Sequence, residues 1–155
     1  MISIDLGKEI SMALWSDKKC QGIVNYSFSP KLFIWENLRD FIYTLDRLID
    51  KYRPIVVERP SRDLYIQWAE FTDIRELALR KKLDIYSYVT SQIKKYVVGK
   101  GRASKDEVKE AVISSGFLSS SVHAVTEHDY DSISVGICHI KMTQKVVAIL
   151  RSESW

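Results

Sequence analysis

The sequence has few cysteines and lacks a long hydrophobic run. Its two cysteines, Cys20 and Cys138, are isolated and have no CxxC spacing, so they indicate neither a disulfide framework nor a zinc site. No apolar run approaches the roughly 20 residues needed to cross a bilayer, and the N-terminus carries no signal peptide. These absences predict an intracellular, cytoplasmic protein without a membrane partner.

A strong excess of one charge sign is also lacking. The formal net charge is only +3 at pH 7, which by itself does not indicate a nucleic-acid partner. The basic residues are clustered, however, first at positions 80–82 and then in a longer basic cluster. The longer cluster contains Lys94, Lys95, Lys100, Arg102, Lys105 and Lys109. Such clustering fits an electrostatic footprint for phosphates, and a solvated lysine-rich face is the open alternative.

Proline is scarce, and each of the three prolines marks a predicted boundary. Pro30 ends a strand-rich start, Pro54 stops the first predicted helix and Pro60 follows a short β-branched strand. With 155 residues, 46% of them hydrophobic and 28% charged, the chain fits one globular domain over residues 1–155. A domain of this length buries roughly 70% of its unfolded surface, which is enough for a core.

The hydrophobic periodicity predicts an α/β fold. Three strand-like runs open the chain, and the short turns between them favour an antiparallel meander. The predicted strands are Met1–Gly7, Glu9–Ser16, Gly22–Phe28, Ile55–Val57 and Leu83–Val89. The predicted helices are Phe33–Tyr52, a helix capped by Ser61 or Asp63 and ending near Lys82, Ser91–Val98 as a short helix or turn, Ser104–Ser115 and His128–Leu150. The second helix has an apolar surface wide enough to contact the sheet and a further partner, such as another subunit.

Two acidic residues stand at the ends of apolar strands. Asp5 follows Ile2 and Ile4, and Glu58 follows a β-branched run that a crossover helix would place parallel to the first strand. A buried acid needs a partner or a metal that offsets its desolvation. The alternative for Asp5 is an edge-strand carboxylate that faces water.

The last predicted helix opens with the acidic segment Glu127–Asp131. His128 and Asp131 are three residues apart and would project from one face of the first turn. Asp129 or Asp131 could instead be only a helix cap, and the spacing leaves Glu127 and Asp129 as competing acids. If the acids of the two strands and this helix converge, hard oxygen ligands suit magnesium or manganese, and two such ions can support phosphodiester cleavage.

Five segments then occur in the order found in one nuclease family. They are Ile4–Gly7, Val57-Glu58, Gln92–Lys94 with Val97–Gly99, Ala103–Lys105, and His128–Ile133. This arrangement resembles the RuvC family of Holliday-junction resolvases, in the ribonuclease H-like superfamily, over nearly the whole chain. The resemblance implies a ribonuclease H-like fold with a central mixed five-stranded sheet flanked by helices. It also implies a homodimer that binds a four-way DNA junction and makes paired symmetric nicks.

The resemblance further implies roles for individual residues. Asp5, Glu58 and Asp131 match the family's metal-binding carboxylates, and His128 occupies a position that is Asp in many members and His in others. Two Mg²⁺ ions per active site are expected, with Mn²⁺ as a substitute, Asp5 bridging both ions, Glu58 on one and Asp131 with His128 on the other. His128 could alternatively shuttle a proton.

Basic residues are expected to contact the DNA. Lys94 and Lys105 match basic residues near the scissile phosphate, and Lys105 would offset charge in the transition state. Lys100 and Arg102 lie in the intervening basic loop and are expected to bind DNA. The alternative for Lys105 is that it only starts a capped helix.

The segment Arg59–Ser61 departs from the family loop that carries an aromatic residue into the junction, and Tyr65 or Trp68 could substitute. Two other functions remain open. One is a different ribonuclease H-like nuclease acting on RNA, flaps or branched DNA, and the other is a junction-binding protein without catalysis.

Overall fold

A five-stranded mixed sheet forms the centre of the protein. The computed structural model describes residues 1–153. The strands are β1 (Ile2–Asp5), β2 (Glu9–Ser16), β3 (Lys19–Ser27), β4 (Ile55–Glu58) and β5 (Ile85–Tyr88). Their order across the sheet is β3-β2-β1-β4-β5. The first three strands form an antiparallel meander, whereas β1–β4 and β4–β5 pair in parallel. The predicted fold class is therefore confirmed.

The helices complete an α/β arrangement in the predicted order. They are α1 (Ile34–Ile49), α2 (Tyr65–Lys81), α3 (Thr90–Val98), α4 (Lys105–Ser114) and α5 (Glu127–Glu153). The predicted caps of α2 are wrong, because this helix follows Leu64 and has no side-chain cap. The predicted cap of α4 is confirmed: Ser104 and Glu107 bond each other's backbone amides in a capping box.

The two faces of the sheet carry separate hydrophobic cores. Ile2, Ile4 and Leu6 pack with α1 and α2 on one face. Val56 of β4 packs with α3, α4 and α5 on the other face. Because successive side chains of a strand alternate between faces, Asp5 is on the α5 side of the sheet. Its neighbour two residues earlier, Ser3, donates to the Ser132 carbonyl of α5 at 2.7 Å, which fits the same alternation.

A buried polar network fixes α5 to the sheet. The Trp15 indole N–H donates to Ser3 Oγ at 2.7 Å, and Ser11 Oγ donates to Asp129 Oδ1 at 3.2 Å. Gly136 of α5 lies directly over Trp15, since a Cβ added there would meet the indole at 2.4 Å. Glycine therefore allows the helix to approach the sheet closely.

Helix α2 buries one side and leaves other apolar residues exposed. Its buried residues are Glu70, Phe71, Ile74, Leu77 and Ala78, whereas Leu64 before the helix and Trp68 within it are exposed. The buried side follows i, i+1, i+4, i+7 and i+8 spacing from Glu70. The acid at the start of this side interrupted the hydrophobic pattern and hid the true register from sequence inspection.

Helix α5 is more apolar than expected. By length and composition alone, the segment Glu127–Ser152 is long and apolar enough to cross a membrane. This criterion counts composition and not an unbroken apolar run, since Lys141 and Lys145 interrupt the segment. The first half of α5 packs against β1 and β2 and belongs to the second core, and a core helix passes the same length and composition criteria. Val146, Val147 and Leu150 in its second half are exposed.

Candidate active site

Two parallel neighbouring strands end in carboxylates at the same edge of the sheet. Asp5 is the last residue of β1 and Glu58 is the last residue of β4, with Ile4 opposite Val57 in the parallel register. By strand alternation, both acidic side chains lie on the α5 face. Asp5 is buried and Glu58 is partly exposed. They line one cleft, together with residues of the segment after β4 and with Thr90.

The first turn of α5 brings two further groups to Asp5. His128 Nδ1 is 2.7 Å from Asp5 Oδ2, within hydrogen-bond distance. One ligand atom from each of Asp5, His128 and Asp131 lies within 4.8 Å of the others. This set, the Asp5–His128–Asp131 cluster, offers two carboxylates and an imidazole to a single point. Such a donor set fits a divalent cation.

Glu58 lies beside this cluster and is not part of it. Its Oε1 accepts a hydrogen bond from the Thr90 hydroxyl at the start of α3. Burial raises the pKa of Glu58, the Thr90 bond acts to lower it, and nearby Asp131 raises it further. The structure therefore places the predicted fourth ligand at the adjacent strand end, with its carboxylate directed to a hydroxyl.

The cluster concentrates negative charge that has been removed from water. Burial is the largest cause that raises the pKa of Asp5 to about 7, the His128 hydrogen bond opposes it, and repulsion from Asp131 and Glu58 adds to it. Burial also raises the pKa of Asp131, while Lys105 and His128 act to lower it. A bound cation would favour the ionised form of these carboxylates and offset their repulsion.

The competing acids of the segment have other partners. Asp129 Oδ2 accepts hydrogen bonds from the Val125 and Thr126 backbone amides, each at 2.9 Å, so Asp129 caps the start of α5. Burial acts to raise the pKa of Asp129, but these backbone bonds hold it below its ordinary value. Glu127 forms an ion pair with Lys105. The contacts of Glu127 and Asp129 therefore distinguish these two acids from His128 and Asp131, which the spacing alone could not do.

The predicted basic residues fall into two groups. Lys105 pairs with Glu127, and Lys100 pairs with Glu107. Lys94 and Arg102 form no ion pair with any residue whose side chain the structure describes, positions 1–152. Lys94 is close enough to Glu58 and Asp131 to lower the pKa of both carboxyls.

Lys105 borders a small cleft beside the cluster. This cleft, of about 110 Å³, is lined by both Lys105 and Asp131. Lys105 is also the first residue of α4, immediately after its Ser104 cap. Lys105 therefore starts a capped helix, as the alternative from sequence expected, and its contact with DNA stays a prediction.

Sequence reasoning missed a buried acid behind the cluster. Glu70 of α2 is completely buried, and neither of its carboxylate oxygens has a hydrogen-bond partner of good geometry. Burial raises the pKa of Glu70 to about 8, the Gly7 backbone amide acts to lower it, and the charge of Asp5 adds to the rise. One turn earlier, Gln67 donates to the Leu6 carbonyl at 3.0 Å. The sequence signal for its burial was the position of Glu70, four residues before Ile74 and seven before Leu77, on the same side of the helix.

Thr90 was missed as well, because a threonine at a helix start carries no sequence signal for a distant glutamate. The two aromatic residues considered for the junction-inserting role differ in their surroundings. Tyr65 is largely exposed, whereas the Trp68 indole donates to the Ser61 carbonyl at 2.9 Å.

The sequence is similar to known proteins of one family. A family model described as crossover junction endodeoxyribonuclease RuvC matches residues 21–139. The RuvC of Ruminiclostridium cellulolyticum is 30% identical over 124 residues, covering 76% of this chain and 70% of that protein. The RuvC of Alkaliphilus metalliredigens is 28% identical over 120 residues, covering 72% and 71%.

Solved structures agree with the fold. The Thermus thermophilus RuvC structure superposes with a TM-score of 0.77 at 18% identity, covering 93% of this chain and 95% of that one. The same protein in complex with a Holliday junction substrate also gives 0.77. The family match begins within β3, and the structural match extends the likeness to nearly the whole chain. This protein belongs to the RuvC family of crossover junction endodeoxyribonucleases.

Proposed function

We propose that this protein is a Holliday-junction resolvase, a metal-dependent endodeoxyribonuclease that makes paired symmetric nicks in four-way DNA junctions. The observation that carries the proposal is the Asp5–His128–Asp131 cluster at the strand edge of a RuvC-family fold. The likeness to a RuvC bound to a Holliday junction substrate supports the same substrate class. The activity belongs to DNA recombination and repair.

The donor set fits a divalent metal ion. Asp5, His128 and Asp131 would hold one ion, and Glu58 with Asp5 would hold a second on the neighbouring strand end. Mg²⁺ is the proposed ion, with Mn²⁺ as a substitute, because carboxylate oxygens suit both and imidazole is more readily accepted by Mn²⁺. When bound, such ions lower the pKa of an attacking water and stabilise the leaving oxygen.

The remaining residues position these groups and the DNA. The hydrogen bond to His128 orients the Asp5 carboxylate, and Thr90 orients Glu58. His128 could also transfer a proton. Lys105 would place positive charge at the phosphate once the DNA displaces its partner Glu127. Lys94, Lys100 and Arg102 would contact the DNA backbone, and Lys94 acts to lower the pKa of both Glu58 and Asp131.

A homodimer is proposed because two symmetric nicks need two active sites. The exposed apolar residues of α2, Trp68 and Leu79, are candidates for contact with a second subunit. A DNA substrate implies an intracellular protein, and the cytoplasm is the proposed compartment. The domain is proposed to be a single unit over residues 1–155.

Cleavage of a synthetic immobile four-way junction tests the proposal. The parent protein and Asp5→Asn are incubated with the junction and with linear duplex of matched arm sequence, in Mg²⁺ or Mn²⁺. We expect paired nicks in the junction only, lost in the variant. Asp84→Asn is the matched control, since Asp84 is exposed before β5, at the opposite end of the parallel strands.

Other results would assign other functions. Cutting of duplex, flaps or RNA with no preference for the junction would indicate a different ribonuclease H-like nuclease. Junction binding without cleavage in Mn²⁺ would indicate a binding protein. Cleavage by Asp5→Asn at the parent rate would refute the assignment of the metal site.

A further inference from the structure

Four consecutive apolar residues before and at the start of α1 are exposed. They are Leu32, Phe33, Ile34 and Trp35, and the two aromatic side chains retain 65% and 61% of their surface. The Phe33 and Trp35 rings are stacked, with centroids 4.5 Å apart and planes 5° apart. We call this pair the Phe33–Trp35 stack. Neither ring belongs to either hydrophobic core.

The stack is held on a well-bonded segment. Asn37 accepts from the Ser29 amide at 2.7 Å and donates to the carbonyls of Ser29 and Phe33. The Glu36 carboxylate accepts from the Phe33 amide at 2.8 Å. Because the backbone is fixed before any ligand arrives, binding to these rings costs little ordering entropy.

The sheet places the stack at the edge that carries the carboxylates. Strand β3 is antiparallel to β2, which is antiparallel to β1, so β3 ends at the same edge as Asp5. The Phe28 amide donates to the Lys8 carbonyl at 2.8 Å, which ties the start of the connection to that edge. Two strand spacings are about 10 Å, or about three base steps of a DNA strand.

Its surroundings favour DNA over a second protein chain. The exposed parts of two aromatic side chains supply about 250 Å², whereas a stable protein interface needs about 800 Å² from each partner. Lys31 lies two residues before Phe33, and the Lys8 backbone carbonyl accepts from the Phe28 amide. Both lysines are exposed and form no ion pair with any residue whose side chain the structure describes, positions 1–152. Aromatic faces beside free lysines are the combination that binds an unstacked base and its phosphates.

From this juxtaposition, we propose that the Phe33–Trp35 stack is a base-stacking platform for an unstacked nucleobase of the DNA substrate. Lys8 and Lys31 contact the adjoining phosphates. The inference rests on the proposed function for its substrate, and it adds a contact surface on the α1 side of the sheet, away from the metal ligands. The base comes from the branch point of a junction or from a single-stranded segment.

Binding in EDTA, where no cleavage is expected, tests the platform. The substrates are a four-way junction with 2-aminopurine at the branch point, a linear duplex and a single strand of the same sequence. The Phe33→Ala/Trp35→Ala double variant should bind the junction or the single strand about tenfold more weakly, with unchanged duplex affinity. Its 2-aminopurine signal on binding should no longer show quenching by an aromatic ring.

Two controls make the result specific. Trp35→Phe keeps a ring and should retain affinity, and Ile113→Ala removes an exposed apolar side chain near the end of α4, on the other face of the sheet, and should have no effect. If the double variant loses affinity for the junction alone, the stacked base comes from the branch point. If it loses affinity for both the junction and the single strand, the base comes from a single-stranded segment.

Three results would overturn the inference. The first is unchanged junction and single-strand affinity in the double variant, and the second is an equal loss of its affinity for duplex. The third is a lower molar mass of the double variant than of the parent in solution, which would make the stack a subunit contact. A parent protein that binds through the stack yet never cuts a junction would refute only the proposed function.

Discussion

Replacing Glu70 with glutamine should stabilise the protein increasingly as the pH rises. Glu70 is 0% exposed and has a pKa raised to about 8, compared with an ordinary value of 4.5. Between these values the unfolded chain has lost the proton and the native protein still holds it. The native state then binds more protons, so the parent's free energy of unfolding falls as pH increases. Glutamine removes this dependence.

The size of the effect follows from the pKa difference. With 1.36 kcal/mol per pH unit, the proton linkage costs the parent about 1 kcal/mol at pH 5 and about 4 kcal/mol at pH 7.5. The advantage of Glu70→Gln should therefore grow by about 3 kcal/mol over this interval. For a domain of this length, that corresponds to about 6–12 °C in Tm.

Urea unfolding at pH 5 and pH 7.5, in EDTA, measures this difference. Any pH-independent cost of fitting the amide changes both values equally and cancels. Glu76→Gln is the control, since Glu76 is exposed on the same helix. Parallel stability profiles of the parent and Glu70→Gln would refute the reasoning, because they would show that Glu70 titrates alike in the folded and unfolded protein.

Two further predictions follow from other contacts. Gly136→Ala should lower the free energy of unfolding by about 1–3 kcal/mol, measured by thermal unfolding, because its Cβ would meet the Trp15 indole at 2.4 Å; unchanged stability would show that the indole moves freely. Lys94→Ala should weaken junction binding and reduce its salt dependence by about one phosphate contact. Lys100→Ala should weaken junction binding less, because Lys100 is paired with Glu107. Equal losses of affinity for the two variants in a salt titration would contradict this ranking.

Much of the fold could be predicted from local patterns. Short turns specified the meander, and the helix between the third and fourth strands allowed β4 to lie parallel to β1. The capping box at Ser104 was readable because both of its partners lie within four residues. Helix α2 was harder, since Glu70 occupies a core position and its burial depends on tertiary packing.

The candidate site was also predictable in part from local patterns. Strand ends and helix starts indicated Asp5, Glu58, His128 and Asp131 as candidates, and parallel pairing explains why the first two are neighbours. The sequence could not reveal that Thr90 binds Glu58 or that Lys105 pairs with Glu127, because these contacts depend on how separate loops approach one another.

The bond between His128 and Asp5 joins residues 123 positions apart. During synthesis from the N-terminus, the sheet strands emerge long before the first turn of α5. A growing chain that has not yet released this helix lacks two of the three donors of the cluster. Until α5 has emerged, the proposed metal site would be incomplete, and the proposed nuclease activity would begin only when the two ends of the fold have met.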